Sequence, residues 1–195
     1  MNYLSGPSLP VYDKYTQERI TTITTASARD MDDAIAAGYA AIASCKALSG
    51  HARQQILYKI VDGIRDNRAL FSRLLSQEVG KTTAEADGEV TRAIDTFTIA
   101  AEEAVRIGGE TMPMDRTPRG HGKWGMTRRF PVGLCALIAP FNFPLNLAAH
   151  KIAPAIAAGC PFILKPASAT PLTALLLKDI LATAGLPPGS WAILP

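Results

Sequence analysis

Cysteine is scarce in this chain of 195 residues: Cys45, Cys135 and Cys160 are the full complement. Their odd number and the lack of CxxC or Cys/His spacing argue against a disulfide framework and against a metal site, and fit a reducing cytoplasm. Charge of one sign is also missing in bulk. With 20 basic and 17 acidic residues the net charge is +3, and no block of like charge would follow a phosphate backbone, so no nucleic-acid partner is expected. Residues 1–10 lack a basic segment followed by an apolar core, which argues against a secretory leader. Neither GxGxxG nor a P-loop occurs, so no complete phosphate cradle is encoded. Long uninterrupted apolar runs are absent too. The most apolar stretch, Pro131 to Leu164, is broken by Pro140, Asn142, Pro144, Asn146, His150, Lys151 and Pro154. It reads as a buried α/β core, and no membrane association is expected.

What is present is an ordinary globular composition, 48% hydrophobic and 19% charged, and a change of style along the chain. The first half reads as helices. Ser27 with Asp30 three residues on is a capping-box pattern, and Met31, Ile35, Tyr39 and Ile42 then recur at helical spacing, predicting a helix from about Ala28 to Leu48. Ile56, Ile60 and Ile64 mark a second helix. Leu70, Leu74 and Val79 mark a third that stops at Gly80. A fourth begins near Thr83, carries Val90, Ile94, Phe97 and Ala101 on one face, and ends at Gly108-Gly109. A polar, Pro/Gly-rich connection runs from Glu110 to Gly122, and the alternation from Trp124 to Arg129 predicts a half-exposed strand.

From Leu134 the pattern becomes β-α-β-α-β. A continuous apolar run, Leu134 to Ala139, predicts a strand covered on both faces. It is followed by a helix from about Leu145 to Ala158, a strand Phe162–Lys165, a helix Pro171–Ala184 with proline at its first position, and a strand Trp191–Leu194. That order implies a parallel sheet with right-handed crossovers. The expected fold class is therefore α/β: N-terminal helices followed by the first part of a Rossmann-like sheet.

In open parallel sheets, ligands bind beyond the carboxyl ends of strands, which directs attention to residues 140–144 and 165–168. Pro140-Phe141-Asn142-Phe143-Pro144 sets an amide between aromatics and stiffening prolines. Asn142 is either an Asx-turn residue or a fixed hydrogen-bond donor. Lys165 ends a strand, where its ammonium either snorkels to solvent or holds a ligand. Ser168 either helps the turn before Thr170 or lies beside that ligand. Arg92, Arg128 and Arg129 read by default as solvated charges, the alternative being contacts to an anionic ligand, and the three cysteines as small packed hydrophobes.

Pro-Phe-Asn-Phe-Pro after an apolar strand, then Lys151 and Pro154, Leu164-Lys165-Pro166-Ala167 and Thr170-Pro171-Leu172, resembles the aldehyde dehydrogenase superfamily in order and spacing. The helix around Arg92-Ala93-Ile94-Asp95 and Ala100 to Glu103 resembles it too, whereas the first dozen residues carry little of the likeness. The resemblance implies oxidation of a small-molecule aldehyde to a carboxylic acid with NAD or NADP, through a cysteine thiohemiacetal. Asn142 is then the catalytic oxyanion donor, Lys165 binds hydroxyls of the adenosine ribose, and Ile138, Ala139, Pro140 and Phe141 pack against the nicotinamide half. Many NAD-preferring relatives carry glutamate where this chain has Ser168, so the choice between the two cofactors stays open. Asn146, Leu147 and His150 are placed to line the substrate tunnel, with no catalytic role for His150. The family's nucleophile and glutamate base come later than Pro195. The likeness therefore implies an N-terminal portion of such an enzyme, a homo-oligomer in full-length form, divided into a helical part (1–122), a strand of an oligomerisation arm (123–131) and a partial Rossmann-like cofactor-binding domain (132–195). The alternative is a truncated, non-catalytic remnant with a weak nucleotide-binding or assembly role.

Overall fold

The computed structural model describes residues 4–195. Before the first helix the chain forms a hairpin that the helical reading of the first half did not contain. Strands β1 (Ser8–Tyr12) and β2 (Arg19–Thr24) pair antiparallel, with a register shift between Val11 and Tyr12. The Asp13 carboxylate accepts from the backbone N–H groups of Tyr15 and Thr16 in the connecting turn.

Helix α1 (Ala28–Ala40) starts where the capping box places it. Ser27 accepts from the Asp30 N–H and Asp30 accepts from the Ser27 N–H. The predicted single helix is broken at Ala41, and α2 (Ile42–Ala47) completes it. Its buried stripe is Gly38, Ala41 and Cys45, while Tyr39 is 63% exposed. Three helices follow: α3 (Gly50–Asp66), α4 (Arg68–Val79) and α5 (Thr83–Ala104). Ile56, Ile60 and Ile64 are buried as their spacing requires, and so are Val90, Ile94, Phe97 and Ala101. In α4 the buried face is Phe71, Leu75 and Glu78, one position round from the Leu70–Leu74 stripe. Gly80 caps α4 at φ 81°, a left-handed conformation that a Cβ would strain.

The connection after α5 contains structure of its own. Strand β3 (Thr111–Pro113) pairs antiparallel with β4 (Trp124–Met126), so the strand expected near Trp124 is the second arm of a hairpin.

The last third is the predicted alternation: β5 (Cys135–Ile138), α6 (Pro144–Ala158), β6 (Phe162–Lys165), α7 (Leu172–Thr183) and β7 (Trp191–Ile193). The three strands form a parallel sheet in the order β5-β6-β7, with Cys135 beside Phe162 and Ile138 beside Lys165. Stepping twice in the same direction, right-handed crossovers place α6 and α7 on one face. There they meet α3, α4 and α5, and a single cluster of buried residues runs through these helices and the strands. The fold class is that expected, α/β with N-terminal helices leading into a Rossmann-like sheet.

The structure corrects the burial of the first parallel strand. β6, not β5, is the strand buried on both faces; β5 is at one edge of the order, its burial alternates, and Ile138 is 70% exposed. An apolar run alone does not distinguish a central strand from an edge one. A second difference lies at the start of α7, where Pro171 is the cap and Leu172 the first helical residue. No helix of the described residues is long and apolar enough to cross a membrane.

Candidate active site

Two segments meet at the carboxyl ends of adjacent parallel strands. Ile138 lies in register with Lys165, and one residue further the Ala139 N–H donates to the Lys165 carbonyl at 3.1 Å. That ladder brings Ile138, Ala139, Pro140, Phe141 and Asn142 beside Lys165 and Ser168, residues more than twenty positions apart in sequence. Ala139 is buried and anchors the segment, whereas Pro140, Asn142, Lys165 and Ser168 are exposed and Phe141 is 62% so. The result is an open shelf, apolar on the β5 side and cationic on the β6 side.

The polar groups of the shelf are free to act outward. The Asn142 side chain makes no hydrogen bond among the described residues, so no local bond supports an Asx turn. The Lys165 ammonium donates to the neighbouring Pro166 carbonyl at 3.0 Å and has no carboxylate partner among the described residues. Ser168 makes no side-chain bond among them either, and the turn at Thr170 closes through its own N–H to the Ala167 carbonyl at 3.1 Å.

Each segment runs directly into a helix, and each helix is held by a buried glutamate from the N-terminal half. The first N–H groups of a helix have no partner within it. At α6, Phe143 caps without a side-chain bond, and Pro144 has no N–H to satisfy. The next two donors, Leu145 and Asn146, give their N–H groups to Glu89 Oε1 at 3.0 and 3.1 Å. At α7 the same arrangement recurs with Glu78: Leu172 N–H donates to Oε2 at 2.7 Å, and Thr173 N–H and its hydroxyl donate to Oε1 at 3.1 and 2.8 Å. Both glutamates are fully buried. Burial pushes the Glu78 carboxyl above its usual range, against the pull of these donors.

Sequence reasoning passed over both glutamates. Their trace is a charged residue on an apolar helical stripe: Glu78 continues Phe71 and Leu75, and Glu89 sits with Ala86, Val90 and Ala93. Acids are almost never fully buried without partners, so such a position announces a distant donor.

Cations gather around Phe143. The Lys81 ammonium is 3.8 Å from the ring centroid and the Arg92 guanidinium 4.7 Å. Lys81 also pairs with Glu89. Of the residues expected to line a substrate tunnel, Asn146 is buried, Leu147 half-buried and His150 exposed, with His150 Nε2 3.4 Å from the Thr96 hydroxyl. Cys45 and Cys160 are buried, and Cys135 begins β5 at the end of the strand opposite Asn142. Burial raises the thiol pKa of Cys45 and Cys135, which suits packing better than nucleophilic attack.

Comparison with known proteins reaches the same part of protein space. Residues 3–195 match the model of the aldehyde dehydrogenase family. Among curated relatives, a 3-sulfolactaldehyde dehydrogenase of Priestia aryabhattai is 40% identical over 190 residues, covering 97% of this chain and 39% of its own length. Among solved structures, aldehyde dehydrogenase 21 of Physcomitrella patens, in complex with the reaction product succinate, superposes with a TM-score of 0.95 at 46% identity, over 98% of this chain and 40% of that one. An NADP-dependent glyceraldehyde-3-phosphate dehydrogenase of Bacillus halodurans, complexed with NADP, gives a TM-score of 0.91 at 32% identity, over 97% of this chain and 40% of that one. This chain thus spans about two-fifths of the length of the relatives it matches.

Proposed function

Because the chain belongs to the aldehyde dehydrogenase family, we propose that its shelf serves an enzyme that oxidises an aldehyde to a carboxylic acid with NAD or NADP, Asn142 being the catalytic residue it supplies. The observation that carries this reading is the juxtaposition, at the ends of β5 and β6, of Asn142 and Lys165, the first without a side-chain hydrogen bond and the second without a carboxylate partner among the described residues. In open parallel sheets that position is where dinucleotides bind.

The shelf fits the cofactor. Its β5 side offers the apolar surfaces of Ile138, Pro140 and Phe141 to a nicotinamide ring. The Lys165 ammonium, on the last residue of β6, is the group we assign to the ribose hydroxyls of the adenosine half. Ser168 adds a small neutral neighbour that leaves room for either ribose or ribose 2′-phosphate, and no carboxylate there repels the phosphate. When bound, NAD or NADP accepts the two electrons and the hydrogen that leave the aldehyde carbon.

Asn142 acts on the other reactant. As a thiolate attacks the aldehyde carbon, the C–S bond forms and the carbonyl π electrons move onto oxygen. The Asn142 amide donates an N–H to that oxygen. A neutral donor stabilises the developing charge without a proton to lose, and its fixed position avoids reorganisation during the step. The adduct is a thiohemiacetal. As the charge on oxygen returns to re-form C=O, its C–H bond breaks with hydride leaving to the nicotinamide, and water then releases the acid from the thioester so formed. In this reading the nucleophilic thiol and its base lie outside residues 1–195, since Cys45, Cys135 and Cys160 are packed away from Asn142.

The substrate class proposed is an aldehyde with a second, anionic group. Arg92 supports this: it is exposed over Phe143, next to Asn142, and has no ion-pair partner among the described residues. His150 and Thr96 stand on the same side. The relatives named for 3-sulfolactaldehyde and glyceraldehyde 3-phosphate, and the one in complex with its reaction product succinate, are consistent with it.

Replacing Asn142 by alanine in the full-length protein tests the central assignment. Turnover should fall by roughly a hundredfold to a thousandfold while cofactor affinity holds. Undiminished turnover would remove Asn142 from the chemistry.

A further inference from the structure

The Asn142 amide needs a defined direction, yet its own segment provides little to hold it. Upstream, the last ladder bond is that of Ala139 to the Lys165 carbonyl. Pro140 restricts one dihedral, and Phe141 is exposed. What holds the segment on its other side is α6, which begins at Pro144.

We propose that Glu89, seated by Lys81, is the positioning residue for Asn142. This rests on the oxyanion reading of Asn142. Glu89 projects from the second turn of α5, a helix buried against α3, α4 and α6. With Oε1 it takes both free donors of the first turn of α6, and with Oε2 it takes the Lys81 ammonium. The same ammonium lies over the ring of Phe143, the residue that follows Asn142. One carboxylate and one cation thus fix residues 143, 145 and 146 against a helix more than fifty residues earlier in the chain. Cation–π and charge-assisted contacts strengthen away from water, and both partners are screened from it here: Lys81 is 11% exposed at its side chain and Glu89 0%.

Capping by itself does not call for this arrangement. A serine or aspartate at position 143 would satisfy one of the donors locally. A phenylalanine there gives up the local cap, and its ring then becomes the surface through which Lys81 holds the turn. The direction of the Asn142 amide is therefore set from α5, through groups that touch neither substrate nor cofactor.

The test is a double-mutant cycle in the full-length protein, with aldehyde turnover, cofactor KM and thermal melting as readouts. Glu89→Gln keeps a carbonyl oxygen for the α6 donors but releases Lys81. With Asn142 present it should lower kcat by up to about a hundredfold, the scale of a misplacement near 1 Å, and leave cofactor KM unchanged. In the Asn142→Ala background the same substitution should have no further effect on kcat, because the group it aims is gone. Equal fold losses in both backgrounds would mean a structural role only and overturn the proposal, while leaving Asn142 as the oxyanion donor. Turnover unaffected by Asn142→Ala alone would sink both. Lys81→Met, which preserves the carboxylate cap, repeats the cycle if Glu89→Gln does not fold. It should show the same dependence on Asn142, and additive losses there would again overturn the assignment.

Discussion

Glu78 holds the start of α7, and through it the turn that carries Lys165 and Ser168, so its removal should be felt in stability. Glu78→Ala leaves the N–H groups of Leu172 and Thr173 and the Thr173 hydroxyl facing buried space. Each unsatisfied buried donor costs about 1–3 kcal/mol. The hydroxyl rotates freely about its C–O bond and is the one of the three able to seek another acceptor, so the two N–H groups set the count. Deleting the carboxylate also ends its desolvation, an offset of several kcal/mol at most. Two orphaned donors cost about 2–6 kcal/mol and the offset lowers this, so the net loss should be about 1–4 kcal/mol, read as a lower urea midpoint at unchanged m-value. Glu78→Gln, which resembles the protonated carboxyl, should cost less. The pH dependence separates the two ionisation states. Burial raises the folded-state pKa of Glu78 above the usual 4.5, and the Glu89 charge adds to the lift. Its contribution to stability is therefore complete below that usual value and is lost as pH rises through the folded-state pKa. The advantage of native protein over Glu78→Gln should thus be larger at pH 4 than at pH 8. An advantage that grows with pH would refute the reasoning, and so would a Glu78→Ala variant within about 0.5 kcal/mol of native.

Three further substitutions address the shelf, each in the full-length protein. Lys165→Met should raise the cofactor KM by about tenfold or more, the scale of a hydrogen bond to a charged group, with turnover at saturation retained; an unchanged KM would take Lys165 off the ribose. Ser168→Glu should shift the NADP/NAD ratio of kcat/KM toward NAD by at least about tenfold, since like charges brought together cost several kcal/mol. An unmoved ratio would mean that the 2′ position lies elsewhere. Arg92→Met should raise KM for aldehydes bearing a second anionic group and spare neutral ones of equal length, and equal effects on both would reject the anion-binding role.

The sequence was most readable where a residue's partner is close in the chain. Ser27 and Asp30 cap each other three residues apart, and the β-α-β-α-β alternation from Cys135 onward repeats local patterns that strands and crossover helices require. Asn142 and Lys165 could be nominated because strand ends followed by helices mark where ligands bind. The hairpin β1-β2 was less readable because its strands alternate weakly and β1 lies in the first dozen residues, where family likeness is least. β3 was lost inside a stretch whose Pro and Gly content reads as a loop.

The sequence by itself determined the helices α3 to α5, the β-α-β-α-β order from Cys135 onward, the helix caps built from neighbours, and the two motifs that meet on the shelf. Tertiary structure alone decided that β6 is central and β5 an edge, because register and strand order depend on pairing between segments that periodicity does not connect. It also decided the partners of Glu78 and Glu89. Their donors lie 94 and 56 residues away, and a buried carboxylate states only that it must be satisfied, not by whom. The fold answers by packing α4 and α5 against α6 and α7, so that each acid meets the open end of a helix.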